Sequence, residues 1–223
     1  MCGRYSLSTA PEAMRRLFQL EGPLLNLEPR YNVAPTQMVP VIRPRRDGGN
    51  ELTMMRWGLV PAWSKTGPGK GPLMINARAE TVADQPAFRS AFRERRCLVP
   101  ADGFYEWKKV GREKWPFRFT MSDGAPFVMA GLWETWREPG GGNLMSFTII
   151  VTGANALVAA VHDRMPVILD GTSAATWLGG GPRETLHGLL APFSAAQMTA
   201  TPVSQRVNSA ANDDPGLIEP LAG

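Results

Sequence analysis

Four polar or nucleophilic side chains stand at positions where folding alone gives them little to do. Cys2 directly follows Met1, and the other three lie within apolar or aromatic stretches: Asn76 in LMINARAET, Glu106 in GFYEWKK and His162 in AAVHDRMPVIL. Burying a carboxylate or an imidazole without a partner costs much of the free energy that folding gains. We therefore expect these residues to pair with one another or to line a cleft.

Cys2 offers a specific chemistry once Met1 is removed, because it then carries a free α-amine and a thiol in one residue. Such a 1,2-aminothiol captures an aldehyde as an imine, and the sulfur then closes a five-membered thiazolidine. The reaction needs proton transfer, a hydrogen-bond donor for the oxygen, and a group that keeps the amine unprotonated. Glu, His and Asn side chains supply these roles. We also expect Arg4, two residues on, to favour the thiolate and to disfavour the ammonium form.

Each of these residues also has an ordinary structural interpretation. A free cysteine is often simply a small buried residue, as Cys2 would be near a chain terminus. Asn76 could satisfy a turn, Glu106 could pair with Lys108 on one strand face, and His162 could be a satisfied core residue.

The composition is that of an ordinary globular protein. The 223 residues are 43% hydrophobic and 20% charged, which predicts one domain over residues 1–223 with a core of its own. No apolar run approaches the length of a membrane span and no signal peptide is recognisable, so we expect a cytoplasmic protein without membrane contact. The chain has only two cysteines, with no CxxC pair, and two histidines. We therefore expect no metal site, no cofactor and no disulfide framework.

The charge is unevenly distributed along the chain. The formal net charge is +4, but residues 1–164 carry +7 and residues 165–223 carry −3. A basic body is compatible with a polyanionic partner, although a solvated basic surface without specificity would have the same composition.

The elements that must position these residues are mostly strands. TAPEAMRRLFQL predicts a first helix with a capping box formed by Thr9 and Glu12, and DQPAFRSAFRERR predicts a second helix. Period-2 apolar stretches separated by short turns, such as the DGG turn and SDGAP, predict hairpins. The expected fold class is α+β, with a curved, barrel-like, mainly antiparallel β-sheet and peripheral helices.

These residues also lie in blocks that resemble a known family. The chain is similar, from Cys2 to its C-terminal VSQRVNSAANDDPGLIEP stretch, to the SRAP family, named for "SOS response-associated peptidase". The blocks that carry the resemblance, in order, are MCGRYSL, RYNVAPTQMVPVI, RWGLVPAWS, INARAET, RRCLVPADGFYEWKK, AGLWETW, FTIIVTGAN and HDRMPVIL.

The resemblance implies the SRAP fold, binding of single-stranded DNA, and covalent capture of abasic sites, whose ring-opened form is an aldehyde. It implies that Cys2 forms a thiazolidine DNA–protein crosslink after Met1 is lost, with self-processing peptidase and abasic-site lyase activity as further possibilities of the family. Asn76 would hold the sugar oxygen, Glu106 would be the acid and base of ring opening, and His162 would assist proton transfer. We expect the protein to act as a monomer.

The same resemblance implies a path for the DNA strand. Arg78 and Arg164 would contact backbone phosphates. The residues expected along the path of the strand, in addition to Arg4, are Asn32, Pro35 and Trp63. Trp63 could add base stacking, although Ser64 follows it where some relatives carry a second aromatic residue.

Two other functions remain open from the residues alone. Glutamine amidotransferases with an N-terminal nucleophile also begin with MCG, but the later glutamine-binding blocks of that class are missing here. In a noncovalent single-strand binder, Cys2 would only pack. A denaturing gel of the protein with an abasic oligonucleotide distinguishes this binder from a crosslinking enzyme.

Overall fold

The computed structural model describes residues 2–23 and 25–221. It contains five α-helices, which are α1 (Pro11–Phe18), α2 (Arg89–Glu94), α3 (Ala156–Ala159), α4 (Gly171–Gly179) and α5 (Arg183–Gly188). The strands are β1 (Arg4–Leu7), β2 (Arg30–Val33), β3 (Met38–Pro44), β4 (Asn50–Trp57), β5 (Asn76–Arg78), β6 (Arg96–Ala101), β7 (Gly103–Val110), β8 (Glu113–Met121), β9 (Phe127–Arg137), β10 (Asn143–Gly153), β11 (Arg164–Pro166), β12 (Ile168–Leu169) and β13 (Met198–Pro202).

Five of these strands close into a barrel. β3 pairs with β4 and β6, β6 pairs with β9, and β10 closes the ring by pairing with both β9 and β4. The β4–β10 pair is parallel and the other four are antiparallel. The barrel-like, mainly antiparallel fold expected from the sequence is therefore confirmed.

A second sheet packs beside the barrel and carries the start of the chain. Its strand order is β13, β8, β7, β1, β2, and all of its pairs are antiparallel. β1 lies between β7 and β2, so the residues just before Arg4 emerge next to the middle of β7.

One large cluster of buried apolar side chains joins the two sheets and the helices packed on them. It includes both Cys2 and Cys97, which are free thiols, so no disulfide links them. A continuous core supports the interpretation of residues 1–223 as one domain, which stays a prediction. None of the helices found in the described residues is long and apolar enough to span a bilayer.

Two local expectations are wrong in detail. Thr9 does not cap α1, since Ala10 is the N-cap and makes no side-chain cap bond, and Thr9 instead donates its backbone N–H to Oδ2 of Asp102 at 3.1 Å. The apolar and aromatic stretch CLVPADGFYEWKK predicts one strand, but it forms two, because Asp102 separates β6 from β7. The carboxylate of Asp102 thus ties the segment after β1 to the junction of the two strands.

The loop of residues 64–72 was expected to be flexible, but its first half is fixed to the barrel. The indole N–H of Trp136 donates to the Ser64 carbonyl at 2.7 Å. Gly67 has a φ of +64° and lies so close to Trp136 that a Cβ would come within 2.5 Å of the ring. Only glycine combines this backbone conformation with this close approach.

Candidate active site

A buried carboxyl group on the central strand of the second sheet faces an imidazole. Oε2 of Glu106, on β7, lies 3.9 Å from Nε2 of His162, which follows α3. Glu106 is only 2% exposed, and burial is the main cause that raises the pKa of its carboxyl above the usual value, while the charge of His162 opposes that rise. The two side chains line one cavity of about 640 Å³ together with Trp107, Lys109, Lys114 and Asn208.

The backbone around His162 fixes the orientation of its ring. The His162 N–H donates to the Val158 carbonyl at 2.9 Å, which ends the helical turn, and Asn155 caps the start of that turn. The Arg164 N–H donates to Nδ1 of His162 at 3.0 Å. With Nδ1 as the acceptor, the neutral imidazole carries its proton on Nε2 and presents it to Glu106.

Nδ1 of His162 also lies 3.0 Å from Oδ1 of Asp163, an arrangement that needs a proton on Nδ1 in either the neutral or the charged ring. Because the Asp163 carboxylate is largely exposed and screened by water, the backbone bond from Arg164 is the stronger constraint on the ring.

Cys2 comes just before β1, which pairs with the strand of Glu106, and is completely buried. Its thiol donates to the Arg4 carbonyl over a sulfur to oxygen distance of 4.0 Å. Burial first, and then the negative charge of Glu106, raise the pKa of the thiol far above its usual value. The thiol is therefore neutral in this state, and Glu106 is close enough to influence its ionisation.

The guanidinium of Arg4 is engaged with the C-terminal segment. It donates to Oδ1 of Asn32 at 2.8 Å and to the carbonyls of Val207 and Asn208, at 2.7 and 3.2 Å. Burial and Glu106, which raise the pKa of the Cys2 thiol, outweigh any opposing effect, and the expectation that the charge of Arg4 favours the thiolate stays a prediction.

Asn32 has a structural task that the sequence did not reveal. It is completely buried, and its amide nitrogen donates to the carbonyls of Ser209 and Asn212 at 2.9 and 2.8 Å. Asn32 and Arg4 together hold residues 207–212 against β2 and β1. A direct contact of either side chain with DNA stays a prediction.

Asn76 is held by its backbone while its side-chain amide has no partner. The preceding carbonyl, that of Ile75, accepts from the Trp57 indole N–H and from the Ile149 N–H, both at 3.0 Å. Both polar atoms of the Asn76 amide are buried, and neither has a hydrogen-bond partner within the described part of the chain. Since a buried amide without a partner is costly, Asn76 keeps its place among the candidate binding residues, and its role stays a prediction.

Arg78 and Arg164 come together around Glu80. Arg78 is exposed on β5, and Arg164 on β11 forms an ion pair with the Glu80 carboxylate. Burial works to raise the pKa of Glu80, but its hydrogen bonds and the charges of Arg164 and Arg78 outweigh burial and lower it. β5 and β11 both pair with β10 near Val151, which explains how residues so distant in sequence meet.

Trp63 lines a second, separate cavity, and Pro35 directly precedes another of its lining residues. Trp63 is 66% exposed and lines a cavity of about 420 Å³ with Arg56, Leu73 and Thr36, the residue that follows Pro35. An exposed indole of this kind is suited to stacking on a planar group. The structure thus groups Cys2 with the acid–base pair and places the predicted stacking residue apart from them.

Sequence reasoning missed two residues of this region. The Tyr5 hydroxyl is completely buried, has no hydrogen-bond partner among the residues described, and has its pKa raised by burial and by the neighbouring Cys2. Glu80 bridges the predicted phosphate contacts. Tyr5 belongs to an ordinary strand pattern, and Glu80 lies in a stretch typical of an exposed turn. The sequence around them therefore gives no sign that either residue belongs to the site.

Comparison with known proteins places the chain among similar sequences along nearly its whole length. The profile described as "SOS response associated peptidase (SRAP)" matches residues 1–210. "Abasic site processing protein YoqW" of Bacillus subtilis (strain 168) is 42% identical, over 98% of this chain and 99% of that protein. "Abasic site processing protein YedK" of Escherichia coli (strain K12) is 33% identical over 99% of this chain and 100% of that protein.

Vertebrate and structural relatives extend the similarity. "Abasic site processing protein HMCES" of Xenopus tropicalis is 31% identical, over 96% of this chain and 77% of that protein. The crystal structure of a protein from Bacteroides thetaiotaomicron has a TM-score of 0.89 and 26% identity, over 99% of this chain and 100% of that one.

Proposed function

Because the chain belongs to the SOS response-associated peptidase (SRAP) family, we propose that it captures abasic sites in single-stranded DNA as a covalent crosslink to Cys2. The observation that carries the proposal is the proximity of Glu106 and His162, with Glu106 close enough to the buried Cys2 thiol to raise its pKa. Relatives of this chain are named abasic site processing proteins, which agrees with a DNA lesion as the substrate.

The reaction joins one aldehyde to the two nucleophiles of a processed N-terminus. After Met1 is removed, the α-amine of Cys2 adds to the aldehyde carbon of the ring-opened sugar and gives a carbinolamine. Loss of water gives the imine, and the thiol then adds to the imine carbon. Aldehyde, amine and thiol are thereby converted into a thiazolidine and one water molecule, with no oxidant or reductant.

Glu106 and His162 supply the proton transfers. A protonated Glu106 donates to the sugar oxygen during ring opening and to the hydroxyl that leaves as water. Its raised pKa keeps it protonated at a higher pH than an ordinary carboxyl. The neutral thiol must lose its proton as the carbon–sulfur bond forms, and the carboxylate of Glu106, which acts on the ionisation of the thiol and has His162 beside it, would accept that proton.

Asn76 orients the lesion and the arginines hold the strand. The two unpartnered polar atoms of the Asn76 amide would bind the hydroxyl groups of the open sugar. Arg78 and Arg164 would bind phosphates without reading sequence, and Trp63 would stack on a base at roughly 1–3 kcal/mol. The protein is proposed to act as a monomer.

Two further activities involve the same residues. Elimination of the strand by an abasic-site lyase starts from the same imine, so closure of the thiazolidine competes with cleavage. Hydrolysis of the Met1–Cys2 peptide bond, with water as the attacking group and Glu106 as the acid and base, would account for the peptidase in the family description.

The proposal is tested by mixing the protein with a single-stranded oligonucleotide that carries one abasic site and separating the products on a denaturing gel. A matched oligonucleotide with a tetrahydrofuran analogue, which has no aldehyde, is the control. We expect a band that survives denaturation only with the true abasic site. Equal bands with both oligonucleotides, or none with either, would overturn the proposal.

A further inference from the structure

The hairpin of β7 and β8 carries a basic pair beside the candidate active site. Lys109 and Lys114 are direct cross-strand partners, and both line the cavity that Glu106 and His162 line. The connecting turn contains Gly111 with a φ of +62°, which suits a tight two-residue hairpin and fixes this register.

Two like charges directly opposite each other weaken a β-hairpin. In the described parts of the chain, no carboxylate lies within 4.0 Å of either lysine to offset the repulsion. The nearest acidic residue in sequence, Glu113, accepts instead from the indole N–H of Trp115 at 3.0 Å. The hairpin therefore presents two uncompensated cations to the cavity.

We propose that Lys109 and Lys114 form a phosphate subsite that binds the backbone of the DNA strand next to the abasic nucleotide. This inference rests on the proposed function and adds a second anchor to it. Arg78 and Arg164 reach the strand from β5 and β11, whereas the lysines reach it from the β7–β8 hairpin. With its backbone phosphates bound by both the arginines and the lysines, the strand keeps the abasic nucleotide beside Glu106.

The lining of the cavity separates this pair from the other charges of the hairpin. Residues 108–114 contain four basic residues and one acidic residue, so the hairpin tip is strongly positive as a whole. Neither Lys108 nor Arg112 lines the cavity. These two residues provide a matched control for removing the same charge from the same hairpin.

The test measures noncovalent binding to a single-stranded oligonucleotide with a central tetrahydrofuran analogue, across a salt series. Because this oligonucleotide has no aldehyde, the result is independent of whether a crosslink forms. The double variant Lys109→Gln with Lys114→Gln is compared with Lys108→Gln with Arg112→Gln and with the unchanged protein. Loss of one phosphate contact should reduce the slope of log affinity against log salt by about 0.7, and only in the first variant.

A second measurement identifies the phosphate itself. Each linkage beside the analogue is replaced in turn by an uncharged methylphosphonate. At one linkage, the replacement should weaken binding by the unchanged protein and by the control variant, and should not weaken binding by the Lys109→Gln, Lys114→Gln variant. Equal salt slopes in the two double variants, or equal loss at every linkage, would overturn the subsite.

The same variant tests the electrostatic argument on the folded protein. Removing two like charges should leave the melting temperature of Lys109→Gln with Lys114→Gln at or above that of the unchanged protein. This result also shows that any loss of binding does not come from unfolding. A lower melting temperature would contradict the claim that the pair is kept for binding at a cost to the hairpin.

Discussion

Oε2 of Glu106 lies 3.9 Å from Nε2 of His162, although 56 positions of sequence numbering separate them. The distance is slightly longer than a hydrogen bond, and catalytic contacts often tighten only when substrate is bound. Glu106 comes from the second sheet, whereas His162 comes from the turn that joins α3 to β11. The acid–base pair therefore forms only when the second sheet packs on the barrel.

The first prediction concerns the pH dependence of crosslinking. If protonated Glu106 is the general acid, the rate falls as pH rises through its raised pKa. Glu106→Gln should slow crosslinking by about 100-fold and remove this descending limb. The rates are measured by quenching in denaturant at a series of pH values. If the descending limb persists in Glu106→Gln, a group other than Glu106 causes it.

Stability measurements check the same pKa independently. A carboxyl whose pKa is raised in the folded state binds more protons there than in the unfolded chain, so stability falls as pH rises from 4.5 through the raised value. We expect the free energy of unfolding of Glu106→Gln to be flatter over that interval than that of the unchanged protein. Identical pH profiles in urea titrations would contradict the raised pKa.

The second prediction separates function from folding at Asn76. Replacing this buried amide by a side chain of similar volume, as in Asn76→Leu, removes two unpartnered polar atoms. The free energy of unfolding should stay unchanged or rise by about 1 kcal/mol, while crosslinking slows. Urea denaturation and gel quantification measure the two effects. A loss of stability larger than about 2 kcal/mol would show that the amide is structural.

The third prediction uses the carboxylate between the two arginines. Arg78→Ala and Arg164→Ala should weaken binding to single-stranded DNA and flatten its salt dependence, since each removes a phosphate contact. Glu80→Gln should do the opposite and tighten binding, because Glu80 holds Arg164 away from phosphate. Arg183→Ala is the control, since Arg183 forms a similar exposed ion pair with Asp84. If Glu80→Gln binds single-stranded DNA no more tightly than the unchanged protein, Arg164 does not contact a phosphate.

Much of the fold followed from local pattern. Period-2 apolar stretches with the DGG and VGREK turns predicted the β3–β4 and β7–β8 hairpins, and both were confirmed. The hairpin expected at SDGAP is wrong, because this turn joins β8 of the second sheet to β9 of the barrel and the two strands do not pair. Polar residues in apolar surroundings led to Glu106 and His162, which the structure brings together. These signals are local because a strand alternates its faces wherever it is placed.

The parts that could not be predicted depend on contacts between distant segments. The parallel β4–β10 pair that closes the barrel leaves no mark on either strand. The hydrogen bonds of Arg4 to the carbonyls of Val207 and Asn208 span more than 200 positions, so a local reading could not predict them. Thr9 likewise matched a capping box locally but binds Asp102.

The fourth prediction distinguishes the two thiols. Cys97 is buried in β6 and is an internal residue without an α-amine, so Cys97→Ala should crosslink normally. Cys2→Ala should give no stable crosslink. Cys2→Ser keeps the amine and should form only an imine, which borohydride traps. A stable crosslink from Cys2→Ala would remove Cys2 from the mechanism.

The central claim is that the α-amine and the thiol of Cys2 react together, and it is tested most directly by blocking the amine alone. Two proteins are compared on one denaturing gel with abasic single-stranded DNA, one tagged at the C-terminus and one carrying an uncleavable extension ahead of Cys2. Mass spectrometry confirms the loss of Met1 in the first and the intact extension in the second. We predict a crosslink only from the C-terminally tagged protein, with both proteins binding the DNA before denaturation. An equal crosslink yield from both would rule out the thiazolidine and point to a side chain reacting alone.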